Sequence, residues 1–276
     1  MRKLLRANFS RLIRNRVFLL SCAAMLLAGV GFPLSNYLSS VSDGERWTPD
    51  STVFAFAFLA PILLALVTAL FVGSEYSDGT MRSKLIVGHK RRCIYLANLI
   101  VCIAAGLALC AAYLFPHTAL SMLLPGEYEA AAETVLAYTA LNFALVAPFA
   151  ALYVLIAMLC QNKAYSTAGC LLLVFALLFT GIRIVSALNE PEYYSGYSYS
   201  ENGITVAEEP ERNSNYLRGT KRQVYEFLHD FLPGDQAIQL SGMQAEKPAM
   251  LAAYDGIILL AATGLGLALF RRRDLK

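Results

Sequence analysis

Charge is what this sequence has least of. Only 16% of its 276 residues are Asp, Glu, Lys or Arg, against 57% hydrophobic, where a soluble domain carries about 25% charged residues. Histidine is scarcer, three in all, and His89, His117 and His229 fall on three separate segments. No His-x-x-x-His, Gly-x-Ser-x-Gly or paired-cysteine motif is present, so the common signatures of metalloprotease, serine-hydrolase and thiol-redox chemistry are missing. No Walker A loop is present either, and that route to ATP is closed to this chain. The six cysteines, Cys22, Cys93, Cys102, Cys110, Cys160 and Cys170, lie within or beside apolar runs. Neither a disulfide scaffold nor a metal-ligand spacing is indicated. The reading implies no cofactor, no metal and no nucleic-acid partner.

What the sequence has is long uncharged runs. About 20 apolar residues cross about 30 Å of hydrocarbon, and six runs qualify: Val17–Leu38, Val53–Gly73, Ile94–Phe115, Val135–Leu159, Ser166–Leu188 and Leu251–Phe270. Pro61 and Pro148 interrupt two of them, which a membrane helix tolerates when neighbouring helices satisfy the freed carbonyls. Lys and Arg cluster at alternate ends of the runs. Arg2, Lys3, Arg6, Arg11, Arg14 and Arg16 precede the first; Arg82, Lys84, Lys90, Arg91 and Arg92 follow the second; Lys163 follows the fourth; Arg271, Arg272, Arg273 and Lys276 end the chain. The opposite loops carry Arg46 against Asp43, Glu45 and Asp50, and then Glu127, Glu129 and Glu133 alone. The positive-inside rule places both termini in the cytosol, and an even number of spans agrees. The expected fold is all-α: a polytopic cell-membrane protein, one domain over 1–276, with six transmembrane helices. The stretch Leu19-Leu20-Ser21-Cys22 faintly resembles a lipoprotein cleavage box. Only Val17–Ser21 precede that cysteine without charge, too few for a signal-peptide core, so cleavage is not expected.

Three segments outside the spans carry pattern. In residues 1–16, Leu5, Phe9, Leu12 and Ile13 share a helical face while Lys3, Arg11 and Arg14 point away, which predicts a short amphipathic helix lying in the lipid interface. In residues 74–92, Ser77 or Asp78 is placed to N-cap a helix that starts near Gly79, and Gly88 to end it. Met81, Leu85 and Ile86 then recur on one face, flanked by Arg82 and Lys84, and such a face needs a partner, either the protein's own bundle or a separate subunit. Residues 189–250 form the one long loop. Its first half is acidic and rich in tyrosine (Tyr193, Tyr194, Tyr197, Tyr199) without clear period. Its second half is helical, with Val224, Phe227, Leu228 and Phe231 in register before Pro233-Gly234, then a short piece over Asp235–Leu240.

Charges inside spans are functional candidates by default. Arg183 and Asp255 qualify, both near the ends of their spans, close enough in topology to pair with each other. Glu75 ends the second span just before the short helix. It reads either as a solvated helix-end charge or as part of a hinge.

The stretch Gly73-Ser74-Glu75-Tyr76-Ser77-Asp78-Gly79-Thr80-Met81-Arg82, with Leu85-Ile86-Val87-Gly88-His89 and Ile94-Tyr95-Leu96 behind it, resembles the permease subunits of bacterial type-2 ATP-binding-cassette exporters. The interfacial helix, the six spans, the long loop between spans five and six, and Phe231-Leu232-Pro233-Gly234 with Gln236-Ala237-Ile238-Gln239-Leu240 resemble that family as well. The resemblance implies that the loop between spans two and three is a cytosolic coupling helix docking into a separate ATPase subunit, with Glu75, Asp78, Gly79, Thr80, Met81, Arg82 and Leu85 as coupling residues. It implies that Leu5, Phe9, Leu12 and Ile13 belong to a connecting helix at the lipid interface. It further implies a second permease copy or sister permease, joined through spans two and five, and export of a substrate powered by the partner's ATP. A pore of Ala, Leu, Phe and Tyr suits an amphipathic peptide, lipid or drug better than an ion. The alternatives are an ATPase-independent secondary transporter or channel, and a membrane scaffold or sensor whose outer loop binds a ligand.

The charge asymmetry makes a direct prediction. A single cysteine placed at position 89 is shielded from an impermeant thiol reagent in intact cells, while single cysteines at 195 and 244 react. The reverse pattern inverts the orientation.

Overall fold

The computed structural model of the chain describes residues 1–194, 198–201, 204–207 and 211–273; Ser195, Tyr197 and Lys276 lie outside the described residues. The chain opens with α1 (Arg2–Ile13) and the long α2 (Arg16–Asp43), then a single turn, α3 (Asp50–Val53), that leads into α4 (Phe56–Ser77). A short α5 (Thr80–Ile86) precedes α6 (Arg91–Leu123), α7 (Ala132–Cys160) and α8 (Lys163–Leu188). Beyond these come β1 (Tyr193–Tyr194), β2 (Ser198–Glu201), β3 (Ile204–Ala207) and β4 (Glu211–Arg212), then α9 (Gly219–Phe231), α10 (Pro233–Ser241) and α11 (Pro248–Arg272). Six of these stretches are long and apolar enough to cross a membrane: α2, α3 with α4, α6, α7, α8 and α11. The chain is an all-α, multi-pass membrane protein. The helices outrun the apolar runs, α6 spanning Arg91–Leu123 around Ile94–Phe115, because helical hydrogen bonding does not stop where the hydrocarbon does.

Local chemistry sets several boundaries. The Asn15 side chain accepts hydrogen bonds from the amides of Val17 (2.9 Å) and Phe18 (3.2 Å) and starts α2. Asn162 does the same for α8 through Ala164 and Tyr165. Each satisfies amides that a helix N-terminus leaves free. Pro33 and Pro116 lie inside helices in addition to Pro61 and Pro148, as packed membrane helices allow.

The spans are not equivalent. In α4, α6 and α7, 61%, 61% and 56% of the apolar window is buried within the protein, against 28%, 22% and 22% in α2, α8 and α11. The first three form the centre, where Leu64, Phe71, Val101, Leu109, Phe149 and Val154 pack together. The other three surround them, α2 on α6, α8 on α4, α11 on α7. Six spans put both termini on one face, the terminal face.

On the opposite face polar contacts tie the loops together. The Asp50 carboxylate accepts from the amides of Glu129 (2.8 Å) and Ala130 (3.2 Å), and Tyr138 donates to the carbonyls of Met243 (3.0 Å) and Ala245 (3.2 Å). His117 is fully buried, its Nε2 3.0 Å from the Thr52 hydroxyl and its ring stacked on Tyr113. The tyrosine-rich stretch that shows no period in the sequence forms short antiparallel ladders, β1 with β4 and β2 with β3. The pairing that topology allowed between Arg183 and Asp255 is absent: Asp255 is buried, Arg183 is exposed, and no ion pair joins them. The helical pattern of the second half is borne out as α9 and α10, with different burial. The α9 stripe of Phe227 and Phe231 leans on Tyr254 of α11 and leaves Phe227 half exposed. In α10 Asp235, Gln236, Ala237 and Leu240 are buried against α8, α7 and α4. Gly181 and Gly234 make that approach possible: a Cβ on Gly234 would overlap the Leu177 carbonyl, and one on Gly181 would come within 2.9 Å of the Asp235 backbone.

One charged contact joins α9 to α10. His229 Nδ1 lies 3.0 Å from Asp235 Oδ2, close enough for an ion pair although the N–H is not aligned for a hydrogen bond. The Asp235 carboxylate holds the His229 pKa above its usual value, against the opposing effect of burial. Burial raises the Asp235 pKa, against the pull of His229. Between the ordinary values of about 3.9 for Asp and 6.5 for His and the raised ones, the packed state holds more protons than the separated helices. The contact therefore weakens as pH rises through that interval. Amide exchange in α10, corrected for intrinsic rates, is expected to be faster at about pH 8 than at about pH 6, and His229→Gln should flatten the difference. Slower exchange at the higher pH contradicts this reading.

Candidate functional site

The junction between α4 and α5, on the terminal face, gathers three charged side chains, Glu75, Arg11 and Lys84, around one buried carboxylate. Helix α4 runs to Ser77 and Asp78 is its C-cap. Gly79 then takes φ +67°, a left-handed conformation that favours glycine, and α5 begins at Thr80. Neither Ser77 nor Asp78 N-caps α5, as the sequence suggested; Gly79 stands at that position with no side-chain cap. The reason is that α4 extends further than its apolar run and uses both residues itself. The Thr80 hydroxyl instead donates back to the Glu75 carbonyl at 3.1 Å and closes the corner. The other end agrees with the sequence reading. Gly88 has φ +93°, its amide bonds Leu85 O at 2.9 Å and the His89 amide bonds Lys84 O at 3.1 Å. These are the two bonds of a Schellman stop.

Glu75 has no exposed surface. Arg11 Nη1 lies 2.6 Å from Oε1, Lys84 of α5 also bonds Oε1, and Asn98 of α6 donates to Oε2 at 3.1 Å. The ring of contacts closes through Asn8 of α1, which donates to Asn98 Oδ1 at 2.6 Å and accepts from Lys84 Nζ at 3.1 Å. Arg11 also donates to Phe71 O at 3.1 Å and lies 3.9 Å above the Phe71 ring. Burial lowers the Lys84 pKa while Glu75 opposes that shift. One carboxylate thus fastens α1, α5 and α6 to the end of α4. Glu75 is therefore not a solvated helix-end charge: both of its oxygens are engaged by donors.

This knot corrects the reading of α1. Its inward face is Leu4, Asn8 and Leu12, all buried. Arg11 reaches inward rather than away, Leu5 and Phe9 pack partly against the core, and Ile13 is 63% exposed. The inward face lies about one residue before the lipid-facing stripe read from the sequence, because it is built partly from polar residues that Glu75 requires. For α5 the structure decides between the two partners that the sequence left open. Met81 is buried and Leu85 packs against the core, so they face the protein's own bundle, while Ile86 is 85% and Val87 77% exposed. Arg82 and Asp78 are exposed beside them. Asn8, Arg11, Lys84 and Asn98 were not singled out as a group. Asn98 inside an apolar run was the available signal. Among the described residues no group of three His, Cys, Asp or Glu is placed to hold a metal ion.

Removing one partner of a buried ion pair typically costs about 3–5 kcal/mol. Arg11 keeps a third of its side chain in solvent, so the lower end applies here, about 3 kcal/mol. Glu75→Gln should therefore raise amide exchange in α1 and α5 roughly a hundredfold at that cost. Adding Arg11→Met should recover part of the loss, since one stranded cation is gone. Unchanged exchange in Glu75→Gln would mean that the knot carries no load.

Comparison with known proteins bears on what this arrangement serves. No curated protein matches the chain. Residues 2–275 match the family described as ABC-2 family transporter protein, and the chain belongs to that family.

Proposed function

We propose that the chain is the permease subunit of an ATP-binding-cassette exporter, with both termini cytosolic, and that α5 is its coupling helix. The observation that carries this is the exposed pair Ile86 and Val87 at the tip of α5, on a helix held firmly to the spans by Glu75. An apolar tip backed by a rigid base is suited to transmit a push. On this reading the pair enters a cleft of a cytosolic ATPase subunit, and Arg82 and Asp78 meet polar groups at its rim. Closure of the ATPase pair on ATP then moves α5, and the Glu75 knot carries the movement to α4, α6 and α1 together. Export follows the family resemblance, and an amphipathic substrate follows the composition of the spans. It agrees with a narrow apolar crevice between α4, α6 and α7 lined by Phe56, Ala60, Pro61, Leu145 and Phe149, with Asn142 as its polar member.

A second permease copy or sister chain completes the pathway. The side of α8 that shows Tyr165, Leu172, Phe175, Phe179 and Ile182 is offered to that partner or to lipid. Span two, α4, lies in the interior of its own bundle, so α8 is the stronger candidate of the two spans suggested by the resemblance.

The test separates docking from internal packing. Burial of Ile and Val contributes roughly 1.5–3 kcal/mol each, so Ile86→Asp with Val87→Asp should lower co-purified ATPase per permease at least about tenfold. Membrane insertion and the exchange behaviour of α1 should not change. Leu85→Asp, by contrast, should loosen α5 itself. Unchanged ATPase recovery with the Ile86 and Val87 pair replaced removes α5 as the docking element.

A further inference from the structure

The face opposite the termini carries a pocket of about 680 Å³ that the transport reading does not use. It lies between the end of α2, the loop that follows it, and the loop joining α6 to α7. Tyr37, Trp47 and Tyr128 line it. Trp47 is 2% exposed and meets Tyr37 edge to face, with ring centroids 5.7 Å apart and planes at 83°. The α6–α7 wall is held by the two amide bonds to Asp50 already described, and Gly126 lies against the indole, with no room there for a side chain. The pocket is thus a built cavity rather than a gap between mobile loops.

Its charges are Glu45, Glu127 and Glu129 against Arg46. Their side chains are exposed, and none forms an ion pair with another described residue. Aromatic faces among carboxylates attract an ammonium group, through the ring quadrupole and through charge. The lone Arg46 is suited to a phosphate. Beside the pocket the surface turns apolar: Leu38 and Val41 of α2 and Met122 and Leu123 at the end of α6 are all more than half exposed. Exposed apolar side chains belong among acyl chains, and aromatic residues gather at the head-group level. We infer that this pocket binds a phospholipid of the facing leaflet by its ammonium-bearing head group. The ammonium rests against Tyr37 and Tyr128, with Trp47 as the packed floor beneath them, among Glu45, Glu127 and Glu129. The phosphate meets Arg46, and the acyl chains follow α2 and α6. The inference does not depend on what the protein transports.

Trp47 is the chain's single tryptophan, so tryptophan emission of the full-length protein, excited at the red edge where the tyrosines do not absorb, reports on this pocket. Short-chain phosphatidylethanolamine, short-chain phosphatidylglycerol and free ethanolamine would each be titrated into the protein, purified in a detergent without phosphate. The ethanolamine lipid should give a saturable change in emission, and phosphatidylglycerol, which lacks the ammonium, should bind about tenfold more weakly. Glu127→Gln with Glu129→Gln should weaken the ethanolamine lipid by about tenfold. Glu133→Gln, outside the pocket, should not. Free ethanolamine saturating the signal at the same concentration as the lipid would overturn the lipid and assign the pocket to a soluble amine. No saturable change, or equal responses to both lipids that the paired glutamine variant leaves unaltered, would overturn the site.

Discussion

A carboxylate with no exposed surface at the end of a membrane helix must be matched by donors, because an ionised group taken out of water is several kcal/mol out of balance without them. Glu75 meets that requirement with Arg11 from α1, Lys84 from α5 and Asn98 from α6. The constraint reaches further than the contacts. It fixes which face of α1 turns inward, it holds α5 against the bundle, and it leaves Ile86 and Val87 outside because Met81 and Leu85 are needed inside. Movement of any one of these helices alone would strand a charge. The cheapest motion is therefore one in which they move together, and this is what a coupling element requires.

The rest of the bundle is arranged around that junction in two layers. The central α4, α6 and α7 bury most of their apolar surface against each other, whereas α2, α8 and α11 keep broad apolar faces outward. In water such faces would be a liability. In a bilayer they are solvated by lipid and cost little, so helix association there rests on close packing and polar contacts rather than on hydrophobic burial. The approach of α10 to α8 at Gly181 and Gly234 is of that kind. So are the hydrogen bonds of Tyr138 and Asp50 across the face opposite the termini. The central helices give the bundle its shape, and the outer ones give it broad apolar surfaces.

The spans were legible because one term dominates them: six uncharged runs of the right length leave the chain few other options. Helix α9 was legible from the spacing of Phe227 and Phe231, and the stop of α5 from Gly88. The polar junction was legible only in part. Glu75 stood out as a charge at a span end, but its partners lie 64, 9 and 23 positions away in sequence by simple subtraction of residue numbers, and periodicity is blind to contacts across such distances. In α1 the same blindness hid the inward turn of Asn8 and Arg11. In α5 the apolar stripe serves the inside with Met81 and Leu85 and the outside with Ile86, a division that periodicity alone left open. The pairing of Arg183 with Asp255 is absent for a related reason, since position along a span says nothing about which side of the helix faces a neighbour.

The central claim is that α1 and α5 are locked to each other through Glu75. Spin labels on cysteines replacing the exposed Ser10 of α1 and Ser83 of α5, in a background without reactive native cysteines, would measure it in lipid nanodiscs. The account predicts one narrow distance distribution, unchanged by ATP and partner ATPase, that broadens when Glu75→Gln is added. A broad distribution in the otherwise native protein, or a narrow one that Glu75→Gln leaves untouched, would contradict it.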